Sequence, residues 1–118
     1  MRYLLLIYTN ETSDTNASEK EQAEIMEAYN TFTRDLGASG SMIAGEALQP
    51  TSTATTVRVR DGKMTTTDGP FAETKEQLGG YYLLNAKDLN DAVKWAAKIP
   101  GAKHGSIEVR PIMEFPTQ

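Results

Sequence analysis

Charged side chains are concentrated in residues 68–80, a stretch that separates two segments predicted to be strands. It opens with Asp68-Gly69-Pro70, which predicts a tight turn because glycine permits positive φ, proline fixes φ, and a short acid bonds to neighbouring amides. Glu73, Lys75 and Glu76 follow. They can bind a polar ligand from a loop between strands, where sites often lie. The structural alternative is that Asp68 caps the turn and that the other three are solvated charges.

The single histidine, His104, is the side chain best suited to proton transfer near neutral pH. Its ordinary pKa is the only one in that range. It lies in a predicted loop before the last strand, where a histidine is more often exposed and inert. We take His104 and Asp68 as the candidate catalytic pair, while spacing alone does not show that they meet.

Two strand residues join the candidate ligand-binding set, which comprises Glu46, Arg58, Glu73, Lys75 and Glu76. Glu46 either faces outward or lies inside a dimer cleft. Arg58 shares a strand face with Arg60, so the two either neutralise an anionic ligand or form a solvated hairpin surface. The chain has no cysteine, one histidine and no glycine-rich phosphate loop. We therefore predict neither a metal site nor a cofactor.

Length and charge narrow the class of protein further. A chain of 118 residues predicts one domain, residues 1–118, large enough to bury a core. The net charge of −4 argues against a nucleic-acid partner, since no cluster of Lys and Arg offsets repulsion from phosphates. No segment is long and apolar enough to span a membrane or to act as a secretory leader. We predict a cytoplasmic protein.

The first half of the chain predicts a strand, a helix and a second strand. Residues 2–8 form a continuous apolar run, typical of a strand buried on both faces. Residues 12–16 are predicted to be a polar loop. Ser18 and Glu21 form a capping box for a helix that Gly37 should end. The helix buries Ile25, Tyr29, Phe32 and Leu36, and a short strand follows over residues 42–48.

The second half predicts a hairpin, a strand, a helix and a last strand. Asp61-Gly62 between residues 55–60 and 63–67 is a strong hairpin signal. Residues 81–84 form a strand with two apolar faces, and Asp88 caps a helix that Pro100-Gly101 ends. The inner face of this helix is predicted to hold Leu89, Ala92, Val93, Ala96 and Ile99. Residues 106–115 alternate as a strand, and Pro111 places that strand at an edge or at a bulge.

This order predicts an α+β fold of the ferredoxin-like β-α-β-β-α-β type, with an antiparallel sheet and an extra hairpin strand. Two helices can cover only one face of such a sheet. Large exposed apolar faces are rare on soluble monomers, and the chain offers no further helix as a cover. We therefore expect a homodimer in which two sheets pack face to face.

The stretch Asp68-Gly69-Pro70-Phe71, followed by Glu73, Lys75, Glu76 and Gly79-Gly80, resembles the signature of YCII-related proteins of the DGPF type. The resemblance extends over roughly residues 1–115. It implies a dimeric α/β-barrel of ferredoxin-like subunits, in a family whose members are mostly uncharacterised. A few relatives act on small aromatic-ring catabolites, and others occur with extracytoplasmic-function sigma factors. A short branch carries a histidine on its first helix, paired with an aspartate. This chain has no histidine in residues 17–37, which leaves His104 and Asp68 as a substitute pair.

Two functions follow from these observations. The first is a homodimer that binds a small molecule and acts as a cofactor-free acid–base enzyme on a small carbonyl or ring-derived metabolite. In it His104 moves a proton, Asp68 or Glu73 orients it, and Lys75 stabilises negative charge. The alternative is a non-catalytic binding or regulatory module, for example one associated with sigma-factor regulation. The fold does not choose between them, because one scaffold supports both.

Overall fold

The computed structural model describes residues 1–116 and shows a mixed α+β fold compatible with the ferredoxin-like class. Four antiparallel strands form the main sheet in the order β2-β5-β1-β6, and two further strands form a separate hairpin. The strands are β1 Arg2–Thr9, β2 Met42–Ala47, β3 Thr55–Arg60, β4 Lys63–Asp68, β5 Gln77–Asn85 and β6 Ser106–Pro111. The helices are α1 Glu11–Thr15, α2 Glu19–Ala38 and α3 Leu89–Lys98, with short 3-10 segments at Thr51–Thr53 and Pro100–Lys103.

The two central strands, β1 and β5, carry apolar side chains on both faces, but only one face is buried. On β1, Tyr3, Leu5 and Ile7 are buried against α2 and α3, while Leu4 and Leu6 on the other face are only half-buried. Alternation along a strand sends successive side chains to opposite faces. The strand is therefore two-sided as predicted, and one copy of the chain covers one side.

Helix α2 begins with the predicted capping box: Ser18 Oγ accepts from the Glu21 N–H, and the Glu21 carboxylate accepts from the Ser18 N–H. The predicted end at Gly37 is wrong, because the helix continues to Ala38. Gly40, at φ +80°, provides the left-handed residue that ends a helix at little steric cost.

The predicted polar loop at residues 12–16 is also wrong, since most of it lies in α1, Glu11–Thr15. The Asn10 side chain accepts from the Ser13 N–H and caps the helix. The Glu11 carboxylate accepts from both the N–H and the hydroxyl of Thr51, at 2.8 and 2.7 Å. Contacts with residues distant in sequence thus stabilise this short helix, although its Ser, Thr and Asp residues have only weak helix propensity.

Helix α3 begins at the Asp88 cap as predicted, but its buried face differs from the prediction. Ala92 and Ala96 are buried, whereas Leu89 and Val93 are about half exposed. The small alanines let the helix approach the sheet, and Trp95 fills the space toward Phe32 with ring centroids 6.1 Å apart. The helix is therefore rotated relative to the predicted face.

Strand β6 is an edge strand, as Pro111 predicted, and it ends at that residue rather than at residue 115. The Ile112 N–H still donates to the Arg2 carbonyl at 2.9 Å. Arg2 is the first residue of β1, so residues 113–116 have no strand to pair with. Met113 and Phe115, predicted to continue the inner face, are exposed.

The predicted β3–β4 hairpin is confirmed, with Asp61 at φ 52° and Gly62 at φ 75° in its turn. It does not add a strand to the main sheet but projects as an independent two-stranded ribbon. The radius of gyration is 16.4 Å, larger than the ~13–14 Å of a compact chain of this length.

Candidate functional site

A cavity of about 450 Å³ lies where α1 and α2 meet the ends of β1, β2 and β5. Its walls include Asp14 from α1, Tyr29 and Thr33 from α2, and Gly80 and Tyr82 from β5. These walls lie on the sheet face that the helices cover, as the burial of Tyr82 shows. The size is within the range of small-molecule sites.

Asp14 is positioned by its own local structure. Helix α1 follows directly after β1, and Thr9 at the end of that strand donates its hydroxyl to Asp14 Oδ2 at 2.7 Å. The other carboxylate oxygen has no hydrogen-bond donor among residues 1–116. Asp14 therefore presents a hydrogen-bonded carboxylate at the cavity wall.

Tyr29 is half-buried, and its hydroxyl oxygen accepts from the buried Gly101 N–H at 3.2 Å. Burial raises the pKa of Tyr29, the Gly101 hydrogen bond opposes that rise, and electrostatic interactions with Tyr82 and Asp14 add to it. The hydroxyl thus stays protonated at neutral pH and can donate. A Cβ at residue 101 would lie 2.7 Å from the Tyr29 oxygen, so a larger residue there would displace the Tyr29 side chain.

A pair of hydroxyls from α2 and β5 also lines the cavity. Thr33 Oγ1 and Tyr82 Oη are 2.7 Å apart, and either can be the donor. Tyr82 is held by an edge-on contact with Phe32, with ring centroids 5.0 Å apart. These hydroxyls supply polar contacts for a ligand next to apolar surface.

The charged residues of the cavity wall are all acidic: Glu11, Asp14 and Glu46. No Lys, Arg or His from the described residues lines it. Both Glu11 oxygens accept from Thr51, and Glu46, paired with Tyr81, faces the open side of the sheet. Asp14 is therefore the cavity carboxylate with an oxygen available to a ligand. Such a site favours neutral or cationic ligands over anions. Residues 1–116 contain no group of three or more His, Cys, Asp or Glu arranged to hold a metal ion.

The predicted site residues lie in three places. Glu46 is exposed on β2 at the rim of the cavity. His104 is exposed after the 3-10 segment and lines a separate groove between α2 and α3. Asp14 and Tyr29 border both the groove and the cavity. His104 is therefore next to the cavity but not part of its wall.

The remaining predicted residues lie in the hairpin and the loop that follows it. Arg58 is exposed on β3, and Asp68 ends β4. Asp68 and His104 share neither a hydrogen bond nor a cavity wall among the described residues. Glu73 and Lys75 are exposed.

The loop is tied to the main sheet beside its charged residues. The Lys75 carbonyl accepts from the Asn10 side chain at 3.3 Å. Glu76 Oε1 accepts from the Ser106 hydroxyl at 2.8 Å. The loop is thus fixed near the start of β6, and its Glu73 and Lys75 side chains remain accessible.

Sequence reasoning missed Asp14 and Thr33 as site residues, and it placed Tyr29 on the buried face of its helix. One signal for Asp14 was available: Asn10 followed by Ser13 is a cap pattern, and Asp14 lies one turn into such a helix. The side-chain pairs themselves have no local signal, because Thr33 and Tyr82 are far apart in the chain.

Comparison with known proteins supplies the family. The model of the YCII-related domain matches residues 1–116. An uncharacterized protein from Rhizobium meliloti (strain 1021) is 36% identical over 114 residues, which cover 95% of this chain and 92% of the relative. No helix within residues 1–116 is long and apolar enough to cross a membrane. By the extent of both matches, this chain belongs to the YCII-related family.

Proposed function

We propose that this protein is a homodimer that binds a small neutral or cationic carbonyl compound in the sheet–helix cavity and transfers a proton on it without a cofactor. The observation that carries the proposal is that the Asp14 carboxylate and the Tyr29 hydroxyl line the same cavity. One is a proton acceptor, and the other is a hydrogen-bond donor that remains protonated. A carbonyl ligand needs this combination for proton transfer at its α carbon.

The chemistry assigns one role to each group. Tyr29 donates its hydroxyl to the carbonyl oxygen and stabilises the negative charge that develops there as an enolate forms. Asp14 takes the proton from the α carbon and returns it to the same or another carbon, so the net reaction is an isomerisation and consumes nothing. The Thr9 hydroxyl, 2.7 Å from Asp14 Oδ2, orients the carboxylate.

The residues predicted from sequence take positions around this centre. His104 lines the adjoining groove that Asp14 and Tyr29 also border, and in the proposal it exchanges protons between Asp14 and solvent. Glu46 lies at the rim, where its charge attracts a cationic ligand. Asp68, Arg58, Glu73, Lys75 and Glu76 lie in the hairpin and loop, and their proposed role is ligand capture rather than chemistry.

The dimer in this proposal follows from the uncovered sheet face. Leu4, Leu6 and Tyr8 of β1 and Tyr81 and Leu83 of β5 form a half-buried apolar surface. Apolar faces of this kind are typical of surfaces that a partner covers. In the proposed assembly two such faces pack together about a two-fold axis and form an α/β-barrel.

A thermal-shift screen followed by deuterium exchange tests the cavity. The panel holds small ketones, lactones, amines and carboxylates, and a ligand at about a hundred times its dissociation constant adds ~2.7 kcal/mol of stability. Asp14→Asn should abolish exchange of ligand α protons in D2O and largely keep binding, whereas Tyr29→Phe should weaken both. Glu27→Gln removes an exposed carboxylate of α2 outside the cavity and should leave both unchanged.

Other outcomes contradict the proposal in different ways. If the unsubstituted protein binds a ligand but does not exchange its α protons, the protein is a binding or regulatory module and not an enzyme. Loss of binding in Asp68→Asn, with Asp14→Asn unaffected, would move the site to the hairpin loop. A preference for carboxylates would contradict the acidic cavity as the ligand site.

A further inference from the structure

The two faces of the β3–β4 hairpin differ in chemistry. The pairing Val57 with Thr66 and Val59 with Met64 places Val57, Val59 and Met64 on one face. Arg58, Arg60 and Lys63 lie on the other. The three apolar side chains are 57%, 60% and 70% exposed, so residues 1–116 leave most of their surface uncovered. An amphipathic ribbon with an uncovered apolar face indicates a surface made for contact.

The hairpin has little support from the rest of its chain. Its base is closed by two hydrogen bonds, from the Gly69 N–H to the Ala54 carbonyl at 2.7 Å and from the Thr56 hydroxyl to the Gly69 carbonyl at 2.8 Å. Beyond them the two strands pair mainly with each other. An isolated two-stranded hairpin is at best marginally stable in water. The ribbon therefore needs a covering surface to be well ordered.

The open face of the main sheet is too small to hold two copies together alone. Four strands of six to nine residues cover a footprint of about 460 Å². Stable protein interfaces bury about 800 Å² on each partner. The hairpin adds about 200 Å² of footprint by the same dimensions. It also extends the flat outline of the molecule, which measures 50 × 47 × 18 Å.

The charge pattern favours a second copy over a nucleic acid as the partner. The basic hairpin face belongs to a chain of net charge −4, so the body without the hairpin's basic residues is more acidic than the whole. On the open face of that body, Glu46 lies opposite Tyr81 and Glu108 lies opposite Leu6, and both carboxylates are exposed. A basic arm is attracted to such a body, while the body repels phosphates.

We propose that the β3–β4 hairpin is an exchanged arm: each copy lays Val57, Val59 and Met64 on the second copy of this chain, beside the paired sheet faces. The proposal rests on the homodimer of the proposed function and identifies the part of the chain that completes its interface. Phe71, 78% exposed just after the ribbon, lies where it can extend the same contact. The basic face of the arm adds a salt-sensitive attraction.

Two matched triple variants test the arm. Val57→Thr, Val59→Thr and Met64→Thr keep strong strand formers in the ribbon but remove the apolar contact, and should weaken the dimer by at least about tenfold at any salt concentration. The control variant also carries three substitutions to threonine, but on the opposite face of the hairpin: Arg58→Thr, Arg60→Thr and Lys63→Thr. This control should weaken the dimer less, and its effect should disappear at high salt. Sedimentation velocity over a concentration series measures both.

Hydrogen exchange checks the arm in the unsubstituted protein. The hairpin amides should be protected at concentrations where the dimer forms and exchange fast after dilution to the monomer. The exchanged-arm proposal would be overturned by fast exchange of the hairpin amides at every protein concentration. It would also be overturned if the apolar triple variant dimerised as strongly as the unsubstituted protein. If the apolar triple variant still dimerises but Leu6→Lys does not, the two copies associate through the sheet faces and the hairpin is not part of the interface. A protein that sediments as a monomer at every concentration overturns both.

Discussion

The two faces of the main sheet have similar apolar character but different surroundings. On β1, Tyr3, Leu5 and Ile7 are at most 7% exposed because α2 and α3 cover them. The intervening residues Leu4, Leu6 and Tyr8 point to the other face and are half-buried, outside the core that the helices of residues 1–116 cover. The covered face therefore explains how one copy folds, and the open face indicates how copies associate.

The same division separates the proposed chemistry from the proposed assembly. Tyr29, Gly80 and Tyr82 line the cavity on the covered side, and their positions depend on packing within one chain. The open face and the hairpin carry their apolar side chains toward solvent. A change on the covered face should thus alter folding and ligand binding, whereas a change on the open face should alter association.

The largest expected difference in stability is between alanine substitutions of two neighbouring leucines in β1. Leu5 is 0% exposed, so Leu5→Ala should cost about 2–5 kcal/mol of unfolding free energy at every protein concentration. Leu6→Ala, on the open face, should cost less at low concentration and more as the concentration rises, because only the dimer buries it. Urea denaturation at two protein concentrations measures both. Equal, concentration-independent costs would show that the faces do not differ.

The adjacent glycines of β5 give the next largest contrast. A Cβ at Gly80 would lie 2.8 Å from the Glu46 carbonyl oxygen, whereas one at Gly79 meets nothing within 4 Å. Gly80→Ala must displace β2 and should cost about 1–3 kcal/mol. Gly79→Ala should be neutral or stabilise by up to about 1 kcal/mol, since its backbone is not left-handed.

Thermal unfolding of the two alanine variants measures this difference. Gly80 lines the cavity, so its variant should also bind ligand more weakly. Destabilisation by Gly79→Ala alone would mean that the open face is more tightly packed in the assembled protein than in one copy. Equal losses in both variants would remove the contrast between the faces at this point of the sheet.

Much of the fold is predictable because its signals are local. The two apolar faces of β1, the Asp61-Gly62 turn and the Ser18 cap each depend on residues within a few positions of one another. Errors occurred where distant contacts decide the outcome. Helix α1 depends on the bonds from Thr51 to Glu11, and the end of β6 depends on where β1 begins.

The cavity was harder to predict for the same reason. Its hydroxyl and carboxylate groups come from α1, α2 and β5, and a pair such as Thr33 and Tyr82 is formed only by the folded chain. The residue types that suggest chemistry in a sequence, His104 and the charges of residues 68–80, lie outside the cavity wall. Suitability for proton transfer is a property of a side chain, whereas a shared cavity is a property of the fold.

A smaller effect is expected on the covered face from Tyr29→Phe. The substitution removes the part-buried hydrogen bond from the Gly101 N–H and should cost about 0.5–1.5 kcal/mol at pH 7. The raised pKa of Tyr29 means that the folded state holds this proton more tightly than the unfolded state. Stability from that difference is present below pH 10 and is lost as the pH rises through the folded-state pKa.

The pH dependence of the stability difference between the unsubstituted protein and Tyr29→Phe tests this prediction. The gap between the unsubstituted protein and Tyr29→Phe should narrow above pH 10, since only the former loses stability through this group. Denaturant unfolding of both at pH 7, 9 and 10.5 measures the gap. A constant or widening gap would contradict a buried, protonated Tyr29 hydroxyl beside the cavity.

The smallest effect is expected at the rim of the open face. Arg2 shares the orientation of Leu4 and Leu6, and its guanidinium donates to both oxygens of Glu114 at 2.7 and 2.9 Å. The hydrogen bond from Arg2 lowers the pKa of Glu114, so the stabilisation is present above the ordinary carboxyl pKa and is lost as the pH falls. Both side chains are exposed and screened by solvent. Glu114→Gln should therefore change the melting temperature at pH 7 only slightly, and not at all at high salt or at pH 2. A large decrease in melting temperature that does not depend on salt would place this pair inside an interface. The association surface would then extend to the first residue of β1.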